Sequence, residues 1–380
     1  MKLSTRCVQL GRGDVAHGAI VPPIYQTATF EQPNATEFGE YDYTRSGNPT
    51  RSLLEEQLAD LEGASYACAY ASGMAALTAL TRIVKSGEEI IAGDDLYGGT
   101  VRLLDRLSSH QNIAVRYVDT TNADELRKAV TSRTRLILIE TPSNPLFRIS
   151  DIRELASIAK QRRTYLAVDN SMLSPVFQQP LTLGADIVMH SATKFLCGHS
   201  DVSAGALITN DPTLHQQFAF QQNAEGAGLS PFESWLLLRG LKTLALRVER
   251  QSNSAQKIAR FLRSRTEVTL VFYPGLGAVI SFTTGDERLS AEIVETTRLF
   301  KIAVSFGSVG STISLPCRMS HASIPSALRD RLAPPSDLVR LSVGIEDVDD
   351  LIADLDRAFA VCREVLGHSQ NRNAVASGCT

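Results

Sequence analysis

Apolar and polar positions change in blocks along most of the chain. Short apolar runs that read as buried strands fall at Glu89–Ala92, Val115–Val118, Arg135–Glu140, Tyr165–Asp169, Asp186–His190 and Gly205–Thr209. Between and around them, apolar residues recur at helical spacing in Ser52–Leu61, Met74–Val84, Ala123–Val130 and Ile152–Gln161. Strand and helix patterns in alternation predict an α/β fold, a mostly parallel sheet with helices on both faces. A long segment, Pro231–Arg263, has helix period and leads away from the sheet. Beyond it the pattern predicts short strands at Val268–Tyr273, Val279–Thr283, Ala303–Phe306 and Leu338–Ser342, with helices at Ser290–Leu299 and Val348–Leu366. These fit a smaller α+β domain. The predicted organisation is an N-terminal arm over 1–50, an α/β domain over 51–245, a C-terminal α+β domain over 246–367 and a polar, disordered tail over 368–380. The arm is read from its turn formers and aromatics, as in VPPIYQTATF and YDYTRSGNPT.

Composition narrows the function classes. Lys+Arg number 38 against 41 Asp+Glu, a net charge of −3, so no basic footprint for nucleic acid is present. No apolar run is long enough to predict a membrane span, and the opening MKLSTRCVQLGRGD has no apolar core of a secretory signal. The 6 cysteines, Cys7, Cys68, Cys197, Cys317, Cys362 and Cys379, are scattered, which predicts reduced thiols in a cytoplasm-like compartment and no metal site.

The common nucleotide fingerprints and hydrolase elbows are absent from the chain. What stands out is HSATKFLCGHS, His190–Ser200, directly after the apolar run Asp186–Met189. A lysine at the end of a buried strand, here Lys194, is placed for amine chemistry on a carbonyl. Ser191 and Thr193 add hydroxyls suited to a phosphate. Upstream, Ala71–Leu80 (ASGMAALTAL) opens a helix with small residues, leaving backbone N–H groups over Ser72–Met74 to cradle an anion. Asp169 ends another strand. A Schiff-base lysine, a carboxylate for a ring nitrogen and a phosphate nest are what pyridoxal 5′-phosphate (PLP) requires. Each feature alone is more often structural; their order on an α/β pattern is the signal.

These residues sit in motifs that resemble one family. PIYQTATF, YDYTRSGNPT, SGMAAL, GDDLYGGT, ETPSNP, VDNS, ADIVMHSATKFLCGHSD and LVRLSVGIED, spread from about Val21 to Phe359, are similar to those of the Cys/Met-metabolism PLP-dependent enzymes. The likeness runs most strongly to the plant-type cystathionine β-lyases. The resemblance implies the aspartate-aminotransferase-like fold (fold type I), with a large, mostly parallel seven-stranded sheet. It also implies a cytoplasmic homo-oligomer, a dimer of dimers whose arm makes intersubunit contacts, acting on an amino acid in transsulfuration and methionine biosynthesis. By the same resemblance Lys194 carries PLP and shuttles protons. Asp169 pairs with the pyridine nitrogen. Tyr97 stacks on the ring and takes part in catalysis, and Gly73, Met74, Ser191 and Thr193 hold the phosphate. Tyr43 and Arg45 reach the phosphate of a neighbouring subunit, and Arg340 clamps the substrate carboxylate with Ser305 and Asn144 near it. The implied reaction is α,β-elimination of L-cystathionine to homocysteine, pyruvate and ammonia. The alternatives are C–S cleavage of another L-cysteine conjugate, or γ-elimination and γ-replacement. Val304 stands where the γ-enzymes of the family commonly carry Glu, which favours β-chemistry. The chain also departs from the family pattern after Leu276, where about 15–25 residues are missing, enough for a helix and its loops.

Overall fold

The computed structural model describes residues 1–9, 16–322 and 324–376. The chain divides into two units, Met1–Asn144 with Arg148–Val248, and Pro145–Phe147 with Glu249–Thr380.

The first unit is built on strands β1 (Tyr66–Tyr70), β2 (Glu89–Gly93), β3 (Ala114–Val118), β4 (Thr134–Glu140), β5 (Tyr165–Asp169), β6 (Ile187–His190) and β7 (Gly205–Thr209). They form one 7-stranded sheet in the order β1-β7-β6-β5-β4-β2-β3. Pairings from β3 through β6 are parallel; β7 runs antiparallel to both its neighbours. The central strands are apolar throughout because both faces are covered, as parallel sheets require. On one face Ile91, Ile137, Ile139, Leu166 and Val168 pack with Ile152, Leu155 and Ile158 of the helix Ile152–Arg162. Helix starts are fixed by local chemistry. Asn48, Asp211 and Ser230 each precede a Pro at the first helical turn and accept a backbone N–H from that turn.

The predicted helix over Pro231–Arg263 is two helices, Pro231–Leu241 and Leu244–Arg263. The break lies where the Gly240 carbonyl accepts from the Thr243 N–H and from the Arg247 guanidinium, which displaces it from a regular ladder. Strand β1 and the helices Gly98–Gln111 and Pro212–Ala224 were not among the elements predicted from the pattern.

The second unit holds β8 (Leu270–Phe272), β9 (Val279–Thr283), β10 (Lys301–Ile302), β11 (Thr312–Ser314) and β12 (Val339–Ser342), in the order β10-β11-β12-β9-β8. Its core joins Ile280, Phe282, Val339 and Leu341 of the sheet to Ile258, Leu262, Leu355 and Phe359 of two helices. The strand expected at Ala303–Phe306 is instead the short β10, because Ser305 has a left-handed φ of 83° that no strand residue can carry. On either side of Leu276, β8 and β9 form an antiparallel pair with Phe272 opposite Ser281. The turn between them uses Gly275 and Gly277 at φ 87° and 88°, and the Tyr273 hydroxyl donates to the Gly277 carbonyl at 2.9 Å.

Residues 368–376, expected to open a disordered tail, continue the helix Val348–Ala376. That stretch contains no proline, and each added residue contributes one more helical hydrogen bond. Residues 377–380 of that tail, Cys379 among them, lie outside the described residues. Among the described residues no helix is long and apolar enough to cross a membrane, and Cys7, Cys68, Cys197, Cys317 and Cys362 are unpaired.

Candidate active site

In the first unit the chemistry-bearing residues gather at the carboxyl ends of β4, β5 and β6, where open α/β sheets place ligands. Asp169 ends β5 and is 9% exposed. Its Oδ1 accepts the Ser171 N–H at 2.9 Å. Burial pushes the Asp169 carboxyl up, against the hydrogen bonds from Ser171 and the electrostatic pull of the nearby His190 and Lys194. A protonated nitrogen placed against it would draw it back toward the ionised form.

Ser191 follows β6 directly, and its N–H donates to the Ser171 hydroxyl at 2.6 Å. Ser171 therefore joins the two strand ends. Beneath them, Glu62 Oε1 lies 2.6 Å from His190 Nε2 and accepts from Asn170 Nδ2 at 3.0 Å, with Glu62 and His190 side chains 1% exposed. The helix Pro49–Glu62 thus ties down the residues adjoining Asp169 and Ser191.

The helix Gly73–Thr81 begins against this group. Ser72 caps it by accepting the Ala75 N–H at 3.0 Å. The Gly73 and Met74 N–H groups belong to the first turn, where no helical acceptor exists. The approach of backbone to backbone here admits no side chain. A Cβ on Gly73 would meet the Ser191 Cβ at 2.9 Å, and one on Gly205 would meet the Ser72 carbonyl oxygen at 2.2 Å. Glycine at both places leaves a small cradle bordered by N–H donors and the Ser191 hydroxyl, which fits a phosphate.

Lys194 is half-buried in the turn after Ser191, its N–H bonded to the Ser191 carbonyl at 3.1 Å. That turn is gripped from behind by Arg247, whose guanidinium donates to the carbonyls of Phe195 and Gly240 at 2.8 Å each and whose Nε donates to Thr243. Among the described residues no carboxylate pairs with Arg247, and burial brings it down to about 10. Thr193 is less available than expected: its hydroxyl accepts the Ala204 N–H at 2.9 Å and donates to the Ala204 carbonyl at 3.2 Å.

Tyr97 is 39% exposed, and its N–H donates to Glu140 Oε2 at 3.2 Å. The Tyr97 ring and the Met74 thioether converge on Gly99, whose added Cβ would lie 2.4 Å and 3.1 Å from them. Tyr97 and Met74 are thereby brought together at the mouth of the cradle. Asn144 is buried, four residues beyond the end of β4. Tyr43 and Arg45 are exposed on the arm, the guanidinium 5.5 Å from the Tyr43 ring.

In the second unit Arg340 lies on β12, 2% exposed, opposite Ser281 of β9 and Ser314 of β11. Two small neighbours leave room for the guanidinium. Its Nη2 donates to the Ser305 carbonyl at 3.2 Å, and it lies 5.5 Å from the Phe306 ring. Ser305 and Arg340 are therefore in contact.

Glu140, Ser171, Arg247 and the Glu62–His190 pair had no role in the sequence reading. Glu140 stood in ETPSNP at a strand end, which is a signal; the other contacts depend on tertiary approach.

A half-buried lysine, a buried carboxylate and an anion cradle at the ends of parallel strands define a site for amine chemistry on a phosphate-bearing carbonyl cofactor. The chain belongs to the Cys/Met metabolism PLP-dependent enzymes, whose family model matches residues 4–360. It is 52% identical over 373 residues to a chloroplastic cystathionine beta-lyase of Arabidopsis thaliana, covering 94% of this chain and 80% of that protein. A cystathionine gamma-lyase of Dictyostelium discoideum is 44% identical, with 95% and 98% covered. The crystal structure of cystathionine gamma synthase from Xanthomonas oryzae pv. oryzae, in complex with aminoacrylate and cysteine, superposes with a TM-score of 0.93 at 38% identity, covering 96% of this chain and 99% of that one.

Proposed function

We propose that the protein cleaves the Cβ–S bond of L-cystathionine by α,β-elimination, yielding homocysteine, pyruvate and ammonia. The observation that carries this reading is the gathering of Asp169, Ser191, Lys194 and the Gly73 cradle at the ends of β5 and β6. When bound, PLP supplies an electron sink for the pair left behind by a departing Cα proton. Gly73, Met74 and Ser191 would hold the phosphate, with Thr193 beside them; the Thr193 hydroxyl, bonded to Ala204, closes the loop on which Lys194 sits. Asp169 would hold a proton on the cofactor's ring nitrogen, and Tyr97 would help to hold the cofactor. Arg340 binds the substrate carboxylate through its planar fork, with Ser305 and Asn144 assisting, and so fixes the direction of the Cα–H bond. Lys194 Nζ takes the Cα proton. The Cβ–S electron pair leaves with sulfur, and Lys194 Nζ or the Tyr97 hydroxyl returns a proton to it. Water then hydrolyses the three-carbon imine to pyruvate and ammonia.

Val304, 58% exposed, supports β over γ chemistry, since no carboxylate stands there. The likeness to gamma-lyase and gamma-synthase keeps γ-elimination as the second reading. Exposure of Tyr43 and Arg45 supports a homo-oligomer, at least a dimer and a dimer of dimers by family likeness, in which each arm completes a neighbour's phosphate site. The five cysteines among the described residues are unpaired, which supports a reducing compartment, the cytoplasm.

The deciding experiment supplies L-cystathionine to the PLP-saturated enzyme and assays 2-oxoacids and thiols. Pyruvate with homocysteine is expected, and Lys194→Ala should abolish both products and the visible band of bound PLP. Release of 2-oxobutyrate with cysteine would replace the β-reading by the γ-reading.

A further inference from the structure

The opposite end of the same strands carries a second concave surface, of about 720 Å³, at the start of β4 and β5 and just before β6. That volume lies within the usual range for small-molecule sites, roughly 300–1,000 Å³. Four cationic side chains line it: Arg135, Arg153, Lys160 and Arg163. Arg153 and Lys160 share one face of the helix Ile152–Arg162, and Arg163 ends that helix in the left-handed conformation. Among the described residues none of the four forms an ion pair. In a chain with a net charge of −3, such a cluster is a local reversal of sign.

Helix stabilisation accounts for only part of it. Lys160 and Arg163 complement the negative end of their helix. Arg153 sits in the first turn, where a cation opposes the dipole. Arg135 is on a strand, its guanidinium 4.5 Å from the Tyr165 ring, which holds it in place at the wall. The same wall contains Thr164, 5% exposed, whose Oγ1 is buried with no hydrogen-bond partner. The one acid in the lining, Asp186, is committed to the Leu166 N–H at 2.8 Å, and burial pushes its carboxyl up.

We propose that this surface binds a small polyphosphate, through Arg135, Arg153, Lys160 and Arg163. Guanidinium forks match phosphate oxygens two at a time, and ammonium adds a point charge. The shared chemistry is a chain of phosphates, whether free or attached to a nucleoside whose base would lie on the apolar part of the wall at Ala156 and Leu183.

The test is calorimetric titration of sodium tripolyphosphate, and separately of ATP, into the full-length PLP-saturated enzyme at low ionic strength. Saturation with PLP keeps the cofactor's own cradle filled. One site per chain is expected, with affinity falling as salt rises. An Arg153→Ala/Lys160→Ala double variant should lose at least tenfold in affinity while its visible band and turnover stay at wild-type values. ATP binding tighter than tripolyphosphate assigns a nucleotide; equal affinity assigns the phosphate chain alone. No saturable heat with either probe, or undiminished affinity in the double variant, would overturn the proposal.

Discussion

Gly205→Ala is a small change with a large expected effect on cofactor binding. Its Cβ would lie 2.2 Å from the Ser72 carbonyl oxygen, 2.7 Å from the Ser72 carbonyl carbon and 2.8 Å from the Gly73 Cα. All three are backbone atoms, so no rotamer change relieves the clash. Ordinary contact begins at 3.4 Å, so the Ser72–Gly73 turn must retreat by about 1.2 Å. A retreat of that size takes the Gly73 and Met74 N–H groups out of the roughly 2.7–3.2 Å range of a good hydrogen bond. At about 1.5–3 kcal/mol for each bond to a charged group, two lost bonds amount to about 3–6 kcal/mol. That corresponds to a PLP affinity weaker by about 10²- to 10⁴-fold. Overpacking itself adds about 1–3 kcal/mol of destabilisation. The assay is PLP titration of the apoenzyme, followed by the visible band, beside a circular-dichroism melt that reports folding. Gly310→Ala is the control, because its Cβ would meet nothing within 4 Å. A Gly205→Ala protein that binds PLP with wild-type affinity and melts at the wild-type temperature would refute the cradle.

Three further outcomes are expected. Arg340→Lys keeps the charge but loses the planar fork, so KM for the amino-acid substrate should rise by about ten- to a hundredfold, the cost of roughly one charged hydrogen bond, while the visible band of bound PLP stays unchanged. Arg247→Met should leave the Phe195 and Gly240 carbonyls short of a donor, at about 1–3 kcal/mol for each buried group, which thermal melts read directly. In Asp354, burial pushes the carboxyl up, but Arg357 and the N–H groups of Leu299, Arg298 and Phe300 outweigh it and hold it below the usual range. A folded value below the unfolded one gives stability that is present above the unfolded pKa, about 4. It is lost as pH falls through the folded value. Asp354→Asn should therefore melt lower at pH 7 and show a flatter acid limb in a plot of Tm against pH.

Parts of this architecture were readable in the chain because burial leaves a plain mark. β5 and β7 match their predicted limits, Tyr165–Asp169 and Gly205–Thr209, residue for residue. Both are apolar runs bounded by a polar or glycine residue. β1, Tyr66–Tyr70, escaped because YACAY mixes small and aromatic residues, and its partners are β7 and, by a single bridge from Tyr70, Gly228. The gathering of Asp169, Ser191 and Gly73 followed from the rule that parallel strands present their carboxyl ends together. The engagement of Thr193 with Ala204 did not, since it depends on how the loop after β6 folds back. Arg247 was equally silent: its targets lie 52 and 7 residues away, and no spacing rule links an arginine to bare carbonyls.

The tight connection between β8 and β9 bears on how fast the second unit assembles. Six residues separate Phe272 from Val279, so that pair is a contact of low sequence separation. Inserting about 20 residues at that point would raise the entropic cost of closing the loop by about 1.3 kcal/mol on the (3/2)RT ln n scaling. Domains rich in local contacts fold sooner than those that must first join distant segments. The hairpin therefore gives the C-terminal sheet a nucleus that forms early, with β12 adding to β9 once the segment between them has been laid down.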